Sequence, residues 1–260
     1  MPSPAVAEPA ADEERRFGGL RRLYGDAGYA RIRAGRVAVV GIGGVGSWAA
    51  EALARSGVAR LVLIDLDHIA ESNVNRQVHA VDATLGQAKV QAMRERIAQI
   101  HPGCEVHAVE EFASPENWPQ VLPAEVDAVI DCCDQVKAKL ALAAWALEQR
   151  HLFATVGAAG GKRLAHRVEI ADLADTTHDP LLASLRQRLR REHGAPRQGA
   201  IGVSCVFSRE SVTRPGDACD MDSSLNCHGY GSTVAVTATF GLAAAGHVLD
   251  LLAKAAPPRA

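Results

Sequence analysis

The stretch RVAVVGIGGVG at residues 36–46 decides the fold of this chain. Residues 37–40 form a short, unbroken apolar run, which predicts a buried strand of a parallel sheet. Residues 47–56 predict a helix that ends at Gly57. A strand, a glycine-rich loop and a helix in this order are typical of a nucleotide-binding βα unit. A glycine turn that serves only packing is the alternative.

Three glycines of this loop match the pattern G-x-G-x-x-G, namely Gly41, Gly43 and Gly46. The first permits a tight turn, the second lets the backbone approach a phosphate, and the third allows the helix to pack closely on the strand. Asp65 ends the next predicted strand, at the spacing where an acidic residue accepts hydrogen bonds from ribose hydroxyls. This pattern predicts a nucleotide site but does not separate NAD from ATP.

Strand-like and helix-like segments alternate through the first 160 residues. Short apolar runs predict four further strands, at residues 61–64, 106–109, 126–130 and 152–156. Amphipathic segments predict two further helices, at residues 85–100 and 137–150. The alternation predicts an α/β fold with a doubly wound, mostly parallel sheet of the Rossmann type.

The pattern divides the chain into three regions. We expect a disordered tail, a nucleotide-binding domain and a C-terminal extension packed on the same domain, at residues 1–14, 15–168 and 169–260. The extension contains an arginine-rich helix, a long loop and an apolar helix, predicted at residues 179–193, 194–230 and 233–252. The apolar helix has about the length of a membrane span. Because it contains His247 and Asp250 and lacks flanking cations, we predict a buried helix instead.

The charge and cysteine content of the sequence limit the cellular compartment and the binding partners that we expect for this protein. The formal net charge is only −2, so a nucleic-acid partner must be bound by a local basic patch. The six cysteines form no C-x-x-C pair, so the usual spacing of a structural zinc site is absent. No apolar signal segment occurs near the N-terminus, so we expect a cytoplasmic protein with reduced thiols.

A polar cluster shortly after Asp65 favours ATP over NAD. It contains side-chain amides and two cations: Asn73, Asn75, Arg76, Gln77 and Lys89. Arg76 can bind phosphate oxygens with two parallel hydrogen bonds, and Lys89 can supply a point charge. A triphosphate needs such groups, whereas a dinucleotide oxidoreductase does not.

With this cluster, the glycine loop and the run Asp131-Cys-Cys-Asp134, residues 16–165 resemble the ubiquitin-activating-enzyme superfamily. That superfamily includes the bacterial ThiF/MoeB-type enzymes that adenylate sulfur-carrier proteins. The resemblance implies that Asp134 binds Mg²⁺ beside the triphosphate of ATP, with Asp131 as a supporting residue or merely a strand cap. It places the nucleotide on Gly41, Gly43, Gly44, Gly46, Asp65, Asp67, Asn73, Asn75, Arg76, Gln77, Lys89 and Asp131.

The superfamily also donates an N-terminal arginine across a homodimer to the triphosphate. Gly19 falls where that arginine is expected, so the sequence departs from the pattern at this point. Arg22 is the first substitute and Arg16 the next, although either can be a solvated helix residue. The resemblance therefore implies a homodimer, and it leaves open which arginine is donated to the triphosphate.

Motifs across nearly the whole chain are similar to one branch of this superfamily, the tRNA threonylcarbamoyladenosine dehydratases. They include the sequences from Arg16 to Gly25, Asp179-Pro-Leu181, Gly202 to Ser208, and Val236 to Gly241. The branch adenylates the carboxylate of threonylcarbamoyladenosine next to the tRNA anticodon, and the activated carboxylate then closes a cyclic hydantoin. The resemblance leaves open whether a monovalent cation assists the reaction and whether a cysteine-desulfurase or sulfur-acceptor system is a partner.

Two further sets of residues are candidates for chemistry or binding. Cys227 is the best candidate for a thiol nucleophile and Cys205 the second, whereas Cys132 and Cys133 are expected to be small buried residues. The candidates for RNA phosphate contacts are Lys162, Arg163, Arg167, Arg186, Arg188, Arg190 and Arg191. A solvated helix face is the alternative for the arginines.

Three other functions remain open from the sequence. An adenylyltransferase for a ubiquitin-like sulfur carrier is the nearest, but the missing zinc spacing and the arginine-rich helix weigh against it. A non-catalytic subunit is disfavoured because Asp65, Arg76, Lys89 and Asp134 are all present. A plain NAD oxidoreductase does not explain the polar cluster.

Overall fold

The computed structural model describes residues 11–213 and 230–255. Seven strands form one sheet: β1 (Arg36–Val40), β2 (Arg60–Ile64), β3 (Glu105–Val109), β4 (Ala128–Asp131), β5 (Leu152–Val156), β6 (Val168–Asp172) and β7 (Ser204–Ser208). Their order is β3-β2-β1-β4-β5-β7-β6. Only β6 runs antiparallel to its neighbour, β7. The predicted doubly wound α/β fold is confirmed.

Helices cover both faces of the sheet. They are α1 (Glu13–Phe17), α2 (Gly19–Ala34), α3 (Gly46–Arg55), α4 (Lys89–Ile100), α5 (Val136–Gln149), α6 (Pro180–Glu192) and α7 (Val234–Lys254). Residues of α2, α3, α4 and α7 form one buried cluster with the sheet. Residues of α5 and α6 form the cluster on the opposite face.

The chain reverses direction across the sheet beside β1. It proceeds from β1 to β2 and β3 on one side and then returns to β4 on the other. Such a reversal opens a crevice at the carboxyl ends of the two central strands, where ligands bind in folds of this type. The glycine loop follows β1 and the run from Asp131 to Asp134 begins at the end of β4, so both lie at this crevice.

The apolar C-terminal helix α7 packs into the protein. Val236, Phe240, Ala244 and Val248 recur along one face and are fully buried or nearly so. At Gly241 an added Cβ would lie 2.3 Å from the carbonyl oxygen of Val45, so α7 crosses close to the start of α3. Of the helices described, α7 has the length and apolar content of a membrane span. The prediction of a packed helix agrees with its buried face.

Two expected elements differ from the structure. Helix α4 begins at Lys89 and not at residue 85, because Gly86 has a φ of +83° and Ala88 has a ψ of 132°, outside the helical range. Strand β7 lies inside the segment expected to be a loop, and its residues from Cys205 to Ser208 are buried. Its sequence SCVFS lacks a long apolar run, so it gave no strand signal.

The disordered tail was predicted at residues 1–14, but residues 13 and 14 belong to a helix. Helix α1 begins at Glu13, and the Asp12 side chain accepts a hydrogen bond from the Arg15 backbone N–H at its start. An aspartate at this position stabilises a helix by satisfying an unpaired N–H group. Residues 1–10 of the predicted tail lie outside the described part of the chain.

Candidate active site

A cleft of about 1360 Å³ lies at the crevice beside β1 and β4. Its walls come from the residues that follow β1, β2, β4 and β5, from the start of α6, and from residues on both sides of the gap between 213 and 230. The cleft is larger than a typical pocket for one small ligand. It therefore has room for a nucleotide together with a second group.

The glycine loop forms one wall. Gly41 has a φ of +85°, and an added Cβ would lie 3.1 Å from the backbone of Cys132 and Cys133. Gly43 and Gly44 line the cleft. Gly46 does not, because an added Cβ there would lie 1.8 Å from the Gly41 carbonyl oxygen. Gly46 thus serves the close packing predicted for it, while the two middle glycines present backbone to a ligand.

Asp65 holds the glycine loop from the end of β2. Its Oδ2 accepts a hydrogen bond of 2.6 Å from the Ile42 N–H, and its Oδ1 accepts one of 2.9 Å from the Asp67 N–H. Burial raises the pKa of Asp65, while the nearby Lys89 ammonium acts in the opposite direction. Lys89 Nζ lies 2.6 Å from Asp67 Oδ2 and 4.0 Å from Asp65 Oδ1. The predicted nucleotide residues therefore include two carboxylates and one buried cation.

The polar cluster that follows lies across the loop. Asn73, Arg76 and Gln77 line the cleft. The aliphatic part of Arg76 packs over Gly44, where an added Cβ would approach Cγ and Cδ to 3.2 Å. Asn75 has another role, because its Nδ2 donates to the Ser232 carbonyl oxygen at 3.1 Å. It does not line the cleft, and a direct contact between Asn75 and the nucleotide stays a prediction.

Gln77 lines the cleft with a side chain that is only 5% exposed. Its Oε1 is buried and has no hydrogen-bond partner within residues 11–213 and 230–255. Burying such an oxygen without a partner costs about 1–3 kcal/mol.

The two aspartates after β4 have different surroundings. Asp131 is fully buried, and its Oδ2 accepts from Lys139 Nζ at 3.0 Å and from Thr155 Oγ1 at 2.6 Å. Its Oδ1 accepts from the Cys133 N–H at 3.1 Å. Burial lowers the pKa of Lys139, but the attraction and hydrogen bond to Asp131, together with the neighbouring Cys133 and Cys132, outweigh it, so the pKa is raised. Asp131 is thus a buried support, whereas Asp134 is exposed on the cleft wall.

Asp134 is the carboxylate that fits a divalent cation shared with a phosphate. Mg²⁺ is usually held by one or two carboxylates together with substrate phosphates and water. Asp131 does not fit, since it is fully buried and does not line the cleft. In the described ranges, no group of three His, Cys, Asp or Glu side chains is arranged to hold a metal without a ligand.

The predicted arginine donors lie away from the cleft of their own chain. Arg22 is exposed on α2, and Arg16 donates to the Ile100 carbonyl oxygen at 2.7 Å. Arg16 instead lines a separate hollow with Arg55 and Arg96. Within the described part of a single chain, neither arginine reaches the nucleotide residues. Donation across a dimer stays a prediction.

The structure does not support two of the candidate residues for chemistry or RNA binding, and a third lies outside the described residues. Cys205 is fully buried in β7, and burial raises the pKa of its thiol, so it is not an accessible nucleophile. Lys162 was a candidate for RNA contacts, but it is 2% exposed and donates to the Ser208 carbonyl oxygen. Cys227, the first candidate nucleophile, lies outside the described residues.

The arginine-rich helix α6 uses most of its cations internally. Arg188 and Arg191 both pair with Glu192. Arg190 donates to the carbonyl oxygens of Pro196 and Arg197. These contacts agree better with the alternative of a solvated, self-paired helix than with a free phosphate-binding face.

Arg186 faces a different environment from the other arginines of α6. It lines the cleft, and its Nη1 donates to the Thr176 carbonyl oxygen at 2.9 Å and to the Leu173 carbonyl oxygen at 3.0 Å. Arg163 and Arg167 are exposed beyond β5 and stay candidates for RNA contacts.

Several cleft residues were not predicted from the sequence. Phe112 is 48% exposed and lies on the wall after β3, on the same side as Asp65. Thr177, His178 and Tyr230 line the opposite part of the cleft. The sequence signal available for Phe112 was an aromatic residue soon after the strand predicted at residues 106–109. The others are brought to the cleft by α6 and α7, so local sequence offered no signal for them.

The sequence matches the description "ThiF family" over residues 18–260. The chain belongs to the ThiF family. Within that family, the tRNA threonylcarbamoyladenosine dehydratase of Escherichia coli is 42% identical over 255 residues, which cover 93% of this chain and 95% of the relative. The dehydratase of Haemophilus influenzae is 41% identical and covers 93% of this chain and 94% of the relative. The predicted resemblance to the dehydratase branch is confirmed.

Solved structures of this ThiF-family branch agree in fold. The E. coli tRNA N6-threonylcarbamoyladenosine dehydratase in complex with ATP superposes with a TM-score of 0.84 at 41% identity. The match covers 94% of this chain and 97% of that one. By contrast, the molybdopterin-synthase adenylyltransferase of E. coli is 37% identical over 109 residues, or 42% of this chain. The similarity to the dehydratases therefore includes the C-terminal extension.

Proposed function

We propose that this protein is an ATP-dependent dehydratase that adenylates the carboxylate of threonylcarbamoyladenosine in tRNA and promotes its cyclisation to the hydantoin. The observation that carries the proposal is the cleft, where Arg76, Lys89 and Asp134 surround the glycine loop. The near-full-length similarity to tRNA threonylcarbamoyladenosine dehydratases supports this substrate over a sulfur-carrier protein.

The glycine-loop side of the cleft binds ATP in this proposal. The backbone of Gly43 and Gly44 and the start of α3 receive the phosphates, since a helix N-terminus favours an anion. Asp65 uses one lone pair of each oxygen for the backbone, which leaves others to accept ribose hydroxyls. Phe112 packs against the adenine from the β3 side.

Two cations complete the phosphate site. Arg76 lies over Gly44 and can meet two phosphate oxygens with its planar guanidinium. Lys89 already pairs with Asp67, so it is held in place before ATP binds. Asp134 would hold Mg²⁺ jointly with the phosphates, and the cation would neutralise charge that develops at the reacting phosphorus. The role of these groups is therefore to position the triphosphate and to stabilise its charge.

The chemistry follows from the weakness of a carboxylate as an electrophile. Its negative charge repels nucleophiles, and attack of its oxygen on the α-phosphate removes that charge while pyrophosphate leaves. A nitrogen of the same carbamoyl group then attacks the acyl carbon and loses its proton, and the bond to AMP breaks. Because nucleophile and electrophile belong to one group, proximity replaces an enzyme nucleophile. A cysteine is not required for this sequence of steps.

Other partners in the proposal come from the family resemblance. A homodimer would bring Arg22, or else Arg16, from one protomer to the triphosphate of its partner. A monovalent cation and a cysteine-desulfurase or sulfur-acceptor system stay predictions. Cytoplasmic location is expected because the substrate would be tRNA.

The test measures AMP formed from MgATP with two acceptors, tRNA bearing threonylcarbamoyladenosine and a set of ubiquitin-like carrier proteins. We expect AMP release that depends on the modified tRNA. Arg76→Ala should lower this rate at least tenfold, because a charged group that contacts the reacting phosphates is lost. Arg94→Ala, which removes an exposed arginine of α4, is the matched control and should keep the wild-type rate.

Two outcomes would overturn the proposal. AMP release or pyrophosphate exchange with a carrier protein alone would move this chain to the sulfur-carrier enzymes. No turnover with either acceptor, from protein that binds MgATP, would favour a non-catalytic subunit. A second measurement, the Mg²⁺ concentration that gives half-maximal ATP binding, should rise in Asp134→Asn if this carboxylate holds the cation.

A further inference from the structure

The cleft extends beyond the residues assigned to ATP. We use the term far lobe for the part lined by Ala158, Thr177, His178, Leu181, Val212 and Tyr230. The loop after β5 forms its floor, and β5 is the second strand from β1 on the side opposite β2. Since neighbouring strands are about 4.8 Å apart, the far lobe lies roughly 10 Å from the glycine loop.

Two charged residues beside the far lobe make hydrogen bonds to the protein backbone. Asp179 accepts from the Leu182 N–H at 3.0 Å with Oδ1 and from the Ala158 N–H at 2.9 Å with Oδ2. Arg186 directs its Nη1 at the carbonyl oxygens of Leu173 and Thr176. The Thr177 hydroxyl accepts from Arg209 Nη1 at 2.9 Å. What the far lobe offers a ligand is therefore mainly the Tyr230 ring, the His178 imidazole and aliphatic side chains. Such a surface suits a planar heterocycle.

Tyr230 lies beside Gly161, whose backbone pairs with the residues on both sides of the gap between 213 and 230. The Gly161 N–H donates to the Gly231 carbonyl oxygen at 2.8 Å, and the Gly161 carbonyl oxygen accepts from the Thr213 N–H at 2.8 Å. Gly161 has a φ of +74°, and an added Cβ would lie 3.3 Å from Tyr230 Cδ1 and 2.6 Å from Val212 Cγ1. A glycine at position 161 therefore lets the side chains of Val212 and Tyr230 approach the loop after β5.

His178 adds an unusual backbone conformation to the same wall. Its φ is +58°, in the left-handed region that non-glycine residues seldom adopt. It stands directly before Asp179, the residue that caps α6. Left-handed residues outside glycine cost free energy and are concentrated at binding sites, where their conformation presents a side chain to a ligand.

We propose that the far lobe binds the purine ring of the modified adenosine, unstacked from the RNA loop, with Tyr230 as its stacking partner. Proteins commonly recognise single-stranded RNA by stacking a splayed base on an aromatic side chain. The threonylcarbamoyl arm then extends from the far lobe toward the glycine loop, where its carboxylate meets the α-phosphate. This inference rests on the proposed function and assigns the subsite for its RNA substrate.

The experiment compares steady-state kinetics for an anticodon stem-loop RNA bearing threonylcarbamoyladenosine with kinetics for ATP. Tyr230→Leu keeps an apolar side chain but removes the ring, whereas Tyr230→Phe keeps the ring. We expect Tyr230→Leu to raise KM for the RNA about tenfold, within the range for loss of one base–aromatic stack, and to leave KM for ATP unchanged. Tyr230→Phe should stay near the wild-type values.

Phe112→Ala supplies the opposite pattern. Phe112 lines the ATP side of the same cleft, so its loss should raise KM for ATP and leave KM for the RNA unchanged. Equal Tm values for the variants would show that each one folds. Tyr230→Leu and Tyr230→Phe with the same KM for RNA, from active wild-type protein, would overturn the far-lobe assignment alone. An inactive wild type with this RNA would instead overturn the proposed function.

Discussion

At the scale of single residues, the buried pair Lys139–Asp131 supports the cleft wall at the end of β4. Both side chains are fully buried, and Asp131 also accepts from Thr155 and from the backbone before Asp134. Removing one member of a buried ion pair leaves the other charge without compensation, at a cost of about 3–5 kcal/mol. Lys139→Met should therefore lower the free energy of unfolding by about that amount, measured by urea denaturation.

Lys137 provides the matched control for this prediction. It lies on the same helix, two residues earlier, and is exposed. Lys137→Met should change the free energy of unfolding by less than about 0.5 kcal/mol, as is usual for surface substitutions. If the two variants were equally stable, the buried pair would not have the structural importance argued for it.

His79 gives a prediction about pH. It is 3% exposed, and neither ring nitrogen has a hydrogen-bond partner in the described part of the chain. Burial, with repulsion from Lys89 and Arg96, lowers its pKa from 6.5 to about 4. Between these two values the unfolded chain binds the proton and the folded protein does not, so stability is lost as pH falls. The full loss is about 3 kcal/mol near pH 4.

A variant without the imidazole isolates this effect from the titration of carboxylates. The free energy of unfolding should fall more steeply between pH 7 and pH 5 in the wild type than in His79→Gln. Denaturant titrations at several pH values measure both slopes. Parallel curves for the two proteins would mean that His79 titrates normally in the folded state.

At the scale of elements, the crossing of α7 and α3 supports the glycine loop. Gly241 of α7 lies so close to α3 that an added Cβ would be 2.3 Å from the Val45 carbonyl oxygen and 2.9 Å from the Ala49 nitrogen. Gly241→Ala should push the helices apart and lower stability by about 1–3 kcal/mol. Thermal unfolding monitored by circular dichroism measures the change.

Gly246 lies on the same helix with open space around it. Gly246→Ala should keep or raise stability, by up to about 1 kcal/mol, because alanine favours a helix more than glycine does. A destabilised Gly246→Ala together with an unaffected Gly241→Ala would contradict the close crossing described for these helices.

Elements near the glycine loop could be predicted because each has a local signal. The apolar run of β1, the glycine pattern and Asp65 lie within 30 residues, and the structure places all three at the crevice. Strand β7 could not be predicted, since SCVFS has only three apolar residues and becomes buried through its neighbours β5 and β6. Its place in the sheet is a tertiary effect.

At the scale of the whole molecule, the cleft joins residues that are far apart in the sequence. The nucleotide side was predictable because Asn73, Arg76 and Lys89 follow Asp65 closely. The distinct surroundings of Asp131 and Asp134 were not, because the buried partner Lys139 comes from α5 and Thr155 from β5. The far lobe needed α6 and the start of α7 to be in place. Local patterns therefore predict the ATP side better than the RNA side.

The most direct test of the account is the mass of the modified nucleoside after incubation of tRNA with the protein and MgATP. The account predicts a nucleoside lighter by one water than threonylcarbamoyladenosine, formed only with ATP and in step with AMP release. Lys89→Met should abolish both. An unchanged nucleoside mass, while the wild-type protein transfers AMP to a carrier protein, would contradict the account.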